Sequence, residues 1–290
     1  MKELYQLFKE YIYKYKNTND EKEKQLCAKS IVEIYYAIKD LTRINMDDYK
    51  KEYKKLLYND LDFYDLIENF FDKEKETKLF NDEEFNYIKS LLKYIDTNIN
   101  VEQRISRSFN TVINYIGNKR YKDLTKNLEV FIDDKIIEST YFSVHDKGII
   151  FLENDNLVFF IHELVHSLYD SNKYLEFPSI LGELSYCANY KLGDSLDRLE
   201  DIDNIKDIKY KKYNKNIEYI NNYLQYGVGV LLSIPFIYKN GTSFDNVLEI
   251  IKMINDNPED NIFSLLNKIN INDKDIIESF KSYKKILSRK

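Results

Sequence analysis

The stretch FFIHELVHSL, residues 159–168, holds two of the three histidines of the sequence, four positions apart. Side chains at positions i and i+4 of an α-helix point the same way, so His162 and His166 would present their imidazoles to one point. A catalytic zinc site uses three protein ligands and leaves the fourth position to water. Glu163, beside the first histidine, is then placed as the general base that accepts a proton from this water and passes it to a leaving amine.

The residues around this trio favour a zinc site over a chance match. Every residue from 157 to 168 other than Glu163 and the two histidines is uncharged, which predicts a buried helix. The alternative is a buried helix whose histidines only hydrogen-bond to the backbone. Because a metal explains the three polar side chains at this spacing better, we expect one Zn²⁺ per chain.

A third ligand is expected in the segment YLEFPSILGELSY (174–186), which contains the carboxylates Glu176 and Glu183. They are seven residues apart, or two helical turns, so both could face the same side. One would bind the metal and the other would orient a histidine. Spacing alone does not choose between them: Glu183 lies where other zincins place their glutamate, whereas Glu176 requires a tight turn through DSNK (170–173), whose residues favour turns.

A peptidase also needs a donor for the oxyanion that develops on the scissile carbonyl. Tyr219, Tyr223 and Tyr226 lie at positions i, i+4 and i+7, on one helix face. In a chain with 26 tyrosines such a stripe is more often part of a core than of a site. Gly227 and Gly229 follow it, where the backbone could approach either a ligand or a neighbouring helix.

The elements that must position these residues are mostly helices, since the chain has only seven glycines and three prolines. Short β-branched and aromatic runs interrupt the helical pattern and predict three strands, with HDKG (145–148), including His145, as a hairpin turn. The predicted N-terminal helices cover about 2–16, 20–43, 47–58, 60–74, 82–97 and 101–117. The predicted strands cover 128–132, 140–144 and 148–152.

These elements predict a mainly α protein with a small antiparallel β-sheet immediately before the histidine helix. We divide it into an N-terminal helical region, 1–118, and a zincin-like catalytic region, 119–290; the sequence leaves open whether the two pack as one unit. The net charge of −6, with both signs spread along the chain, argues against a nucleic-acid partner. The charged N-terminal segment and the shortness of the longest apolar run, 226–238, predict a cytoplasmic protein without membrane contact.

The sequence HELVHSL followed by LEFPSILGEL resembles the oligoendopeptidase F and thimet oligopeptidase family of zinc peptidases. In that family a Glu–x–x–Ser segment, with a second glutamate seven residues after the first, follows the histidine helix. The resemblance implies that Glu176 is the third zinc ligand and that Glu183 supports the site from the second shell. It covers residues 140–240, in a chain shorter than typical members.

Two further segments are similar to this family. YLQYGVGVLLSI (223–234) is similar to its tyrosine- and glycine-bearing helix, which implies that Tyr226 and Tyr223 lie over the substrate carbonyl. GIIFLEN (148–154) resembles the edge strand that precedes the histidine helix. An exposed edge strand holds an extended peptide through main-chain hydrogen bonds.

The function expected from these observations is that of a zinc-dependent metalloendopeptidase that hydrolyses oligopeptides, with Glu163 as general base. The alternatives are a peptidase-derived binding protein without turnover and a dedicated protease for one regulatory protein. The intact His162, Glu163 and His166 set favours an enzyme, because a binding scaffold has no need of a general base.

Overall fold

The computed structural model describes residues 2–45, 47, 51, 77–97, 108–144, 147–154, 156–169, 173–192, 198–209, 213, 216–258 and 260–288. The predicted helix 60–74 and His145 lie outside these residues, as do nearly all of 47–58 and the first part of 101–117. None of the described helices has the length and apolar character needed to cross a bilayer.

Within the described residues the chain is mainly helical, as predicted, with one small sheet. The helices are α1 Lys2–Asn17, α2 Glu21–Leu41, α3 Asp82–Leu92, α4 Phe109–Ile116, α5 Asn118–Leu124, α6 Leu157–His166, α7 Glu176–Tyr190, α8 Arg198–Asp207, α9 Ile217–Asn240, α10 Phe244–Asp256, α11 Ile262–Lys268 and α12 Asp273–Ser288. The strands are β1 Leu128–Ile132, β2 Thr140–Val144 and β3 Lys147–Leu152.

Local sequence explains where several helices begin and end. The side chain of Asp20 accepts hydrogen bonds from the backbone of the first turn of α2, which stabilises a helix start. Gly117, with φ of 93°, ends α4 as predicted. Helix α3 ends at Leu92, five residues before the predicted end at residue 97, and the chain after it tightens into three-residue turns, in which Tyr94 donates to the carbonyl of Leu91 and Ile95 to that of Leu92.

The sheet is mixed, so the prediction of an antiparallel sheet was wrong for β1. Its strand order is β1–β3–β2. Strands β2 and β3 pair in antiparallel fashion, as a hairpin requires. Strand β1 occupies the other side of β3 and pairs with it in parallel, with Leu128 opposite Gly148. Because β1 and β2 run in opposite directions on the two sides of β3, only one of these pairings can be antiparallel.

The central position of β3 also makes the prediction of an edge strand in GIIFLEN wrong. Both sides of β3 are hydrogen-bonded to neighbouring strands, and five of its six residues are buried. A nearly continuous apolar run such as GIIFL is typical of a strand covered on both faces. The main chain of β3 is therefore not free to bind a peptide.

The chain forms two compact units that are interleaved in sequence and do not follow the predicted division between residues 118 and 119. The first comprises Met1–Lys75 and Lys122–Asn156. In its described part, α1, α2 and the sheet share one apolar core, and Tyr11 donates a hydrogen bond to the carbonyl of Val144 at 3.3 Å.

The second unit comprises Glu76–Tyr121 and Leu157–Lys290. Its longest helix, α9, packs against α7, α8 and α12. A β-carbon at Gly227 would lie 2.9 Å from the carbonyl oxygen of Asp201, and one at Gly229 would lie 3.3 Å from the carbonyl group of Glu176. These glycines therefore allow α9 to approach α8 and the first turn of α7 closely.

Candidate metal centre

Helices α6 and α7 of the second unit carry the predicted metal ligands and pack against each other. His162 and Glu163 are buried on α6, and His166 is its last residue. Glu176 is the first residue of α7 and Glu183 lies two turns later, and both are buried. Helix α6 is apolar on nearly all its surface, so these ionisable groups are removed from water and require partners.

Three side-chain atoms converge on one point. The Nε2 atoms of His162 and His166 are 3.0 Å apart, and the Oε2 atom of Glu176 lies 3.2 Å from the first and 3.4 Å from the second. Ligand atoms about 2.1 Å from a tetrahedral zinc ion lie about 3.4 Å from one another. The three distances therefore fit three corners of a zinc coordination sphere.

The surroundings of the Glu176 carboxylate are the clearest indication that these three atoms form a cation site and do not meet by coincidence. Its Oε2 atom is buried and accepts no hydrogen bond from the described residues, although it is at ion-pair distance from both imidazoles. Burial raises the pKa of Glu176, but His162 and His166 outweigh burial and hold it well below its usual value. An ionised carboxylate oxygen that accepts no hydrogen bond, together with two ring nitrogens, forms a set of three ligand atoms suited to a cation.

Glu183 orients the first histidine. Its Oε2 atom lies 3.0 Å from Nδ1 of His162, and a carboxylate can only accept, so Nδ1 carries the proton and Nε2 keeps a lone pair for a metal. Arg198 donates to Glu183 through Nε at 2.9 Å and Nη2 at 2.8 Å. Burial raises the pKa of Glu183, but Arg198 and His162 together lower it to about 2.

Tyr169 occupies the equivalent position beside the second histidine. Its hydroxyl lies 3.4 Å from Nδ1 of His166 and 3.1 Å from Oγ of Ser179, and it donates to the carbonyl of Leu175. Since the single hydroxyl proton is used for Leu175, the tyrosine oxygen accepts from His166, and Nε2 again keeps its lone pair. Tyr169 therefore links α6 to the residue before Glu176.

The charge of the site also fits a divalent cation. Glu163, Glu176 and Glu183 are three buried carboxylates. Among the described residues, Arg198 is the guanidinium that pairs with one of them. The carboxylate of Glu176 instead faces the two imidazoles, and a buried carboxylate is costly unless a positive charge compensates it. In the absence of a metal, burial lowers the pKa of His162, but contact with Glu176 and Glu183 raises it to about 9.

The two predicted tyrosines have different surroundings. The ring of Tyr226 is stacked parallel to that of His162, with centroids 6.4 Å apart, and the guanidinium of Arg198 lies 5.3 Å from the Tyr226 centroid. Tyr223 accepts a hydrogen bond from Tyr219 at 3.1 Å. Tyr226 therefore lies beside the candidate metal centre, whereas Tyr223 lies one turn away in contact with another tyrosine.

Sequence reasoning missed Tyr169 and Arg198. Tyr169 stands three residues after His166, a spacing that places both side chains on one side of a helical turn. That spacing was available in the sequence, but 26 tyrosines make it uninformative. Arg198 approaches Glu183 from a separate helix, so no local sequence spacing indicates that the two residues meet.

Comparison with protein families, curated proteins and solved structures finds no match to this chain. The resemblance to oligoendopeptidase F therefore stays a prediction, and the geometry of the site is the basis for assigning a function.

Proposed function

We propose that this protein is a zinc-dependent metallopeptidase that hydrolyses peptide bonds. The observation that carries the proposal is the triangle formed by Nε2 of His162, Nε2 of His166 and Oε2 of Glu176, with sides of 3.0, 3.2 and 3.4 Å. It is supported by a buried general-base candidate, Glu163, on the same helix as the two histidines.

Each residue has a role that its surroundings support. His162, His166 and Glu176 would hold the ion, and Glu183 would orient His162. Bound zinc supplies Lewis acidity, which lowers the pKa of a water molecule and polarises a carbonyl group. Glu163 accepts the proton of the attacking water and delivers it to the leaving amine. Tyr226 donates a hydrogen bond to the carbonyl oxygen as negative charge develops there, and Tyr223 is the second candidate for this role.

The decisive experiment compares the wild-type protein with Glu163→Gln. We expect one zinc ion per chain in both, measured by elemental analysis, and cleavage of a mixed peptide library by the wild type alone. Loss of a general base lowers turnover by about 10²–10⁴-fold. Zinc binding without turnover in both proteins would support a peptidase-derived binding protein, and absence of zinc from both would contradict the proposal.

A second pair of variants distinguishes the roles of the two glutamates of α7. We expect Glu176→Ala to abolish zinc binding, because it removes a ligand. Glu183→Ala should lower zinc affinity about 10–100-fold, because His162 loses the group that orients it. The opposite result would mean that Glu183 is the ligand.

A further inference from the structure

The guanidinium group of Arg198, the first residue of α8, is bound along its edge by two carboxylates. Nε donates to Oε1 of Glu183 at 2.9 Å, and Nη2 donates to Oε2 of the same carboxylate at 2.8 Å. Nη1 lies 3.6 Å from Oδ2 of Asp201, one turn later on α8. The Arg198 side chain is 17% exposed. Because two N–H groups of its planar fork match two carboxylate oxygens, the guanidinium is fixed in both position and orientation.

The same guanidinium lies over the ring of Tyr226 of α9, with Cζ 5.3 Å from the ring centroid. This is within the distance at which a cation is attracted to an aromatic face. The Tyr226 ring is also stacked on the imidazole of His162, with an angle of 4° between the two planes. Tyr226 therefore has a fixed cation and a proposed zinc ligand as neighbours, and both contacts restrict the position of its ring.

The packing of α9 against α8 brings these groups together. Gly227 follows Tyr226, and a β-carbon added to it would lie 2.9 Å from the carbonyl oxygen of Asp201. Since a larger residue would push the two helices apart, the missing side chain lets α9 approach the turn of α8 that begins with Arg198. The contact between the two helices therefore sets the position of Tyr226 relative to Arg198.

Neutralising Glu183 does not by itself require an arginine. A lysine ammonium carries the same charge, but it is a compact point charge that cannot donate as a planar fork and also cover a ring. Nη2 of Arg198 lies 3.5 Å from Nδ1 of His162, but Nδ1 donates to Glu183 and cannot accept. Arg198 therefore reaches the site through two neighbours, Glu183 and Tyr226.

We propose that Arg198 is a positioning residue that holds Tyr226 in place to donate to the oxyanion, in addition to holding Glu183. The inference rests on the proposed peptidase function and adds a residue to its machinery. Arg198 acts on the zinc ligand His162 through Glu183, and on the substrate carbonyl through the Tyr226 hydroxyl. Loss of the first effect lowers zinc affinity, whereas loss of the second slows the chemical step.

Arg198→Lys separates the two effects, because it keeps a positive charge beside Glu183. We expect zinc affinity, measured by competition with a chelator, to stay within about threefold of the wild-type value. In excess zinc, kcat for peptide cleavage should fall about tenfold with KM nearly unchanged, because an oxyanion donor acts in the transition state. The matched control is Arg120→Lys in the same unit, where Arg120 pairs with Asp245 at 2.7 Å. It should leave zinc affinity, kcat and KM unchanged.

A double-mutant cycle with Tyr226→Phe shows whether the lost turnover passes through the tyrosine hydroxyl. Tyr226→Phe alone should lower kcat by about 10²-fold or more, which is the effect of removing one oxyanion donor. Adding Arg198→Lys to this variant should then lower kcat by less than about twofold, because the hydroxyl that Arg198 positions is already absent.

The outcomes separate this inference from the proposed function. Equal losses of kcat from Arg198→Lys in the two backgrounds, or no loss in either, overturn the inference and leave the peptidase function standing. So does wild-type kcat in Tyr226→Phe, because Tyr226 is then not the donor. A fall in zinc affinity that accounts for all the lost turnover would show that Arg198 acts through Glu183 alone. If the wild-type protein cleaves no peptide, the proposed function fails and this inference fails with it.

Discussion

At the scale of single residues, the candidate metal centre depends on the proton of each histidine being at Nδ1. Two different groups keep these protons at Nδ1 by accepting hydrogen bonds from them. Glu183, which is itself paired with Arg198, accepts from His162, and Tyr169 accepts from His166. A histidine whose second nitrogen is hydrogen-bonded presents its lone pair in a fixed direction, which increases metal affinity.

Tyr169→Phe tests the second of these contacts. We expect zinc affinity to fall by about tenfold, because His166 loses its partner and the carbonyl of Leu175, next to the proposed ligand Glu176, loses its donor. Competition with a chromophoric chelator measures the affinity, and the absorption spectrum of the cobalt-substituted protein reports the change in ligand geometry. The free energy of unfolding should change by only about 1 kcal/mol.

The control for this variant is Tyr174→Phe. Tyr174 is buried in the same connection between α6 and α7, but its hydroxyl donates to the carbonyl of Asp260 at 3.2 Å. It should change stability without changing the cobalt spectrum. If both variants leave zinc affinity at the wild-type value, Tyr169 has no part in positioning His166.

The approach of His162 and His166 was predictable because helical geometry acts over four residues and sequence spacing records it. The choice between Glu176 and Glu183 was not predictable from spacing, because it depends on how α7 meets α6. Arg198 was out of reach for the same reason: fifteen residues separate it from Glu183, and the segment between them includes the end of α7.

At the scale of elements, Glu84 connects three parts of the second unit. It closes the capping box of α3 with Asn81, accepts from the backbone of Ile262 at 2.9 Å at the start of α11, and pairs with Lys173 shortly before α7. Glu84 is buried. Without its carboxylate, the backbone N–H groups of Asn81 and Ile262 and the ammonium group of Lys173 would lose this partner.

Glu84→Ala should therefore lower the free energy of unfolding by about 2–4 kcal/mol. The neighbouring variant Glu83→Ala removes an exposed carboxylate from the same turn and should change it by less than about 0.5 kcal/mol. Urea titration followed by circular dichroism measures both. Equal effects of the two variants would mean that Glu84 contributes no more than an ordinary surface residue.

The elements themselves were predicted better than their arrangement. The change of hydrophobic period located β1 and β2 at their observed bounds and β3 within one residue. Their order was not predictable, because pairing of β1 with β3 joins residues about twenty positions apart and depends on non-local contacts. Only the hairpin between β2 and β3 had a local indication, and that antiparallel pair is present.

At the scale of the whole molecule, the site makes stability depend on pH differently with and without metal. In the metal-free protein the pKa of His162 is raised to about 9: burial lowers it, but Glu176 and Glu183 outweigh burial. A group whose pKa is raised on folding adds stability below its unfolded value of about 6.5, and this stability is lost as pH rises through the folded value. Metal-free protein should therefore become less stable between pH 6.5 and 9.

Zinc removes this slope, because it binds only the neutral imidazole and the proton on His162 competes with it. Zinc affinity should rise as pH approaches 9, and the stabilisation that zinc gives rises with affinity. Thermal unfolding in EDTA and in excess zinc, at half-unit steps from pH 6.5 to 9, should give midpoints that diverge with pH. In His162→Gln the divergence should disappear. Midpoints that stay parallel in the wild type would show that His162 is not a zinc ligand.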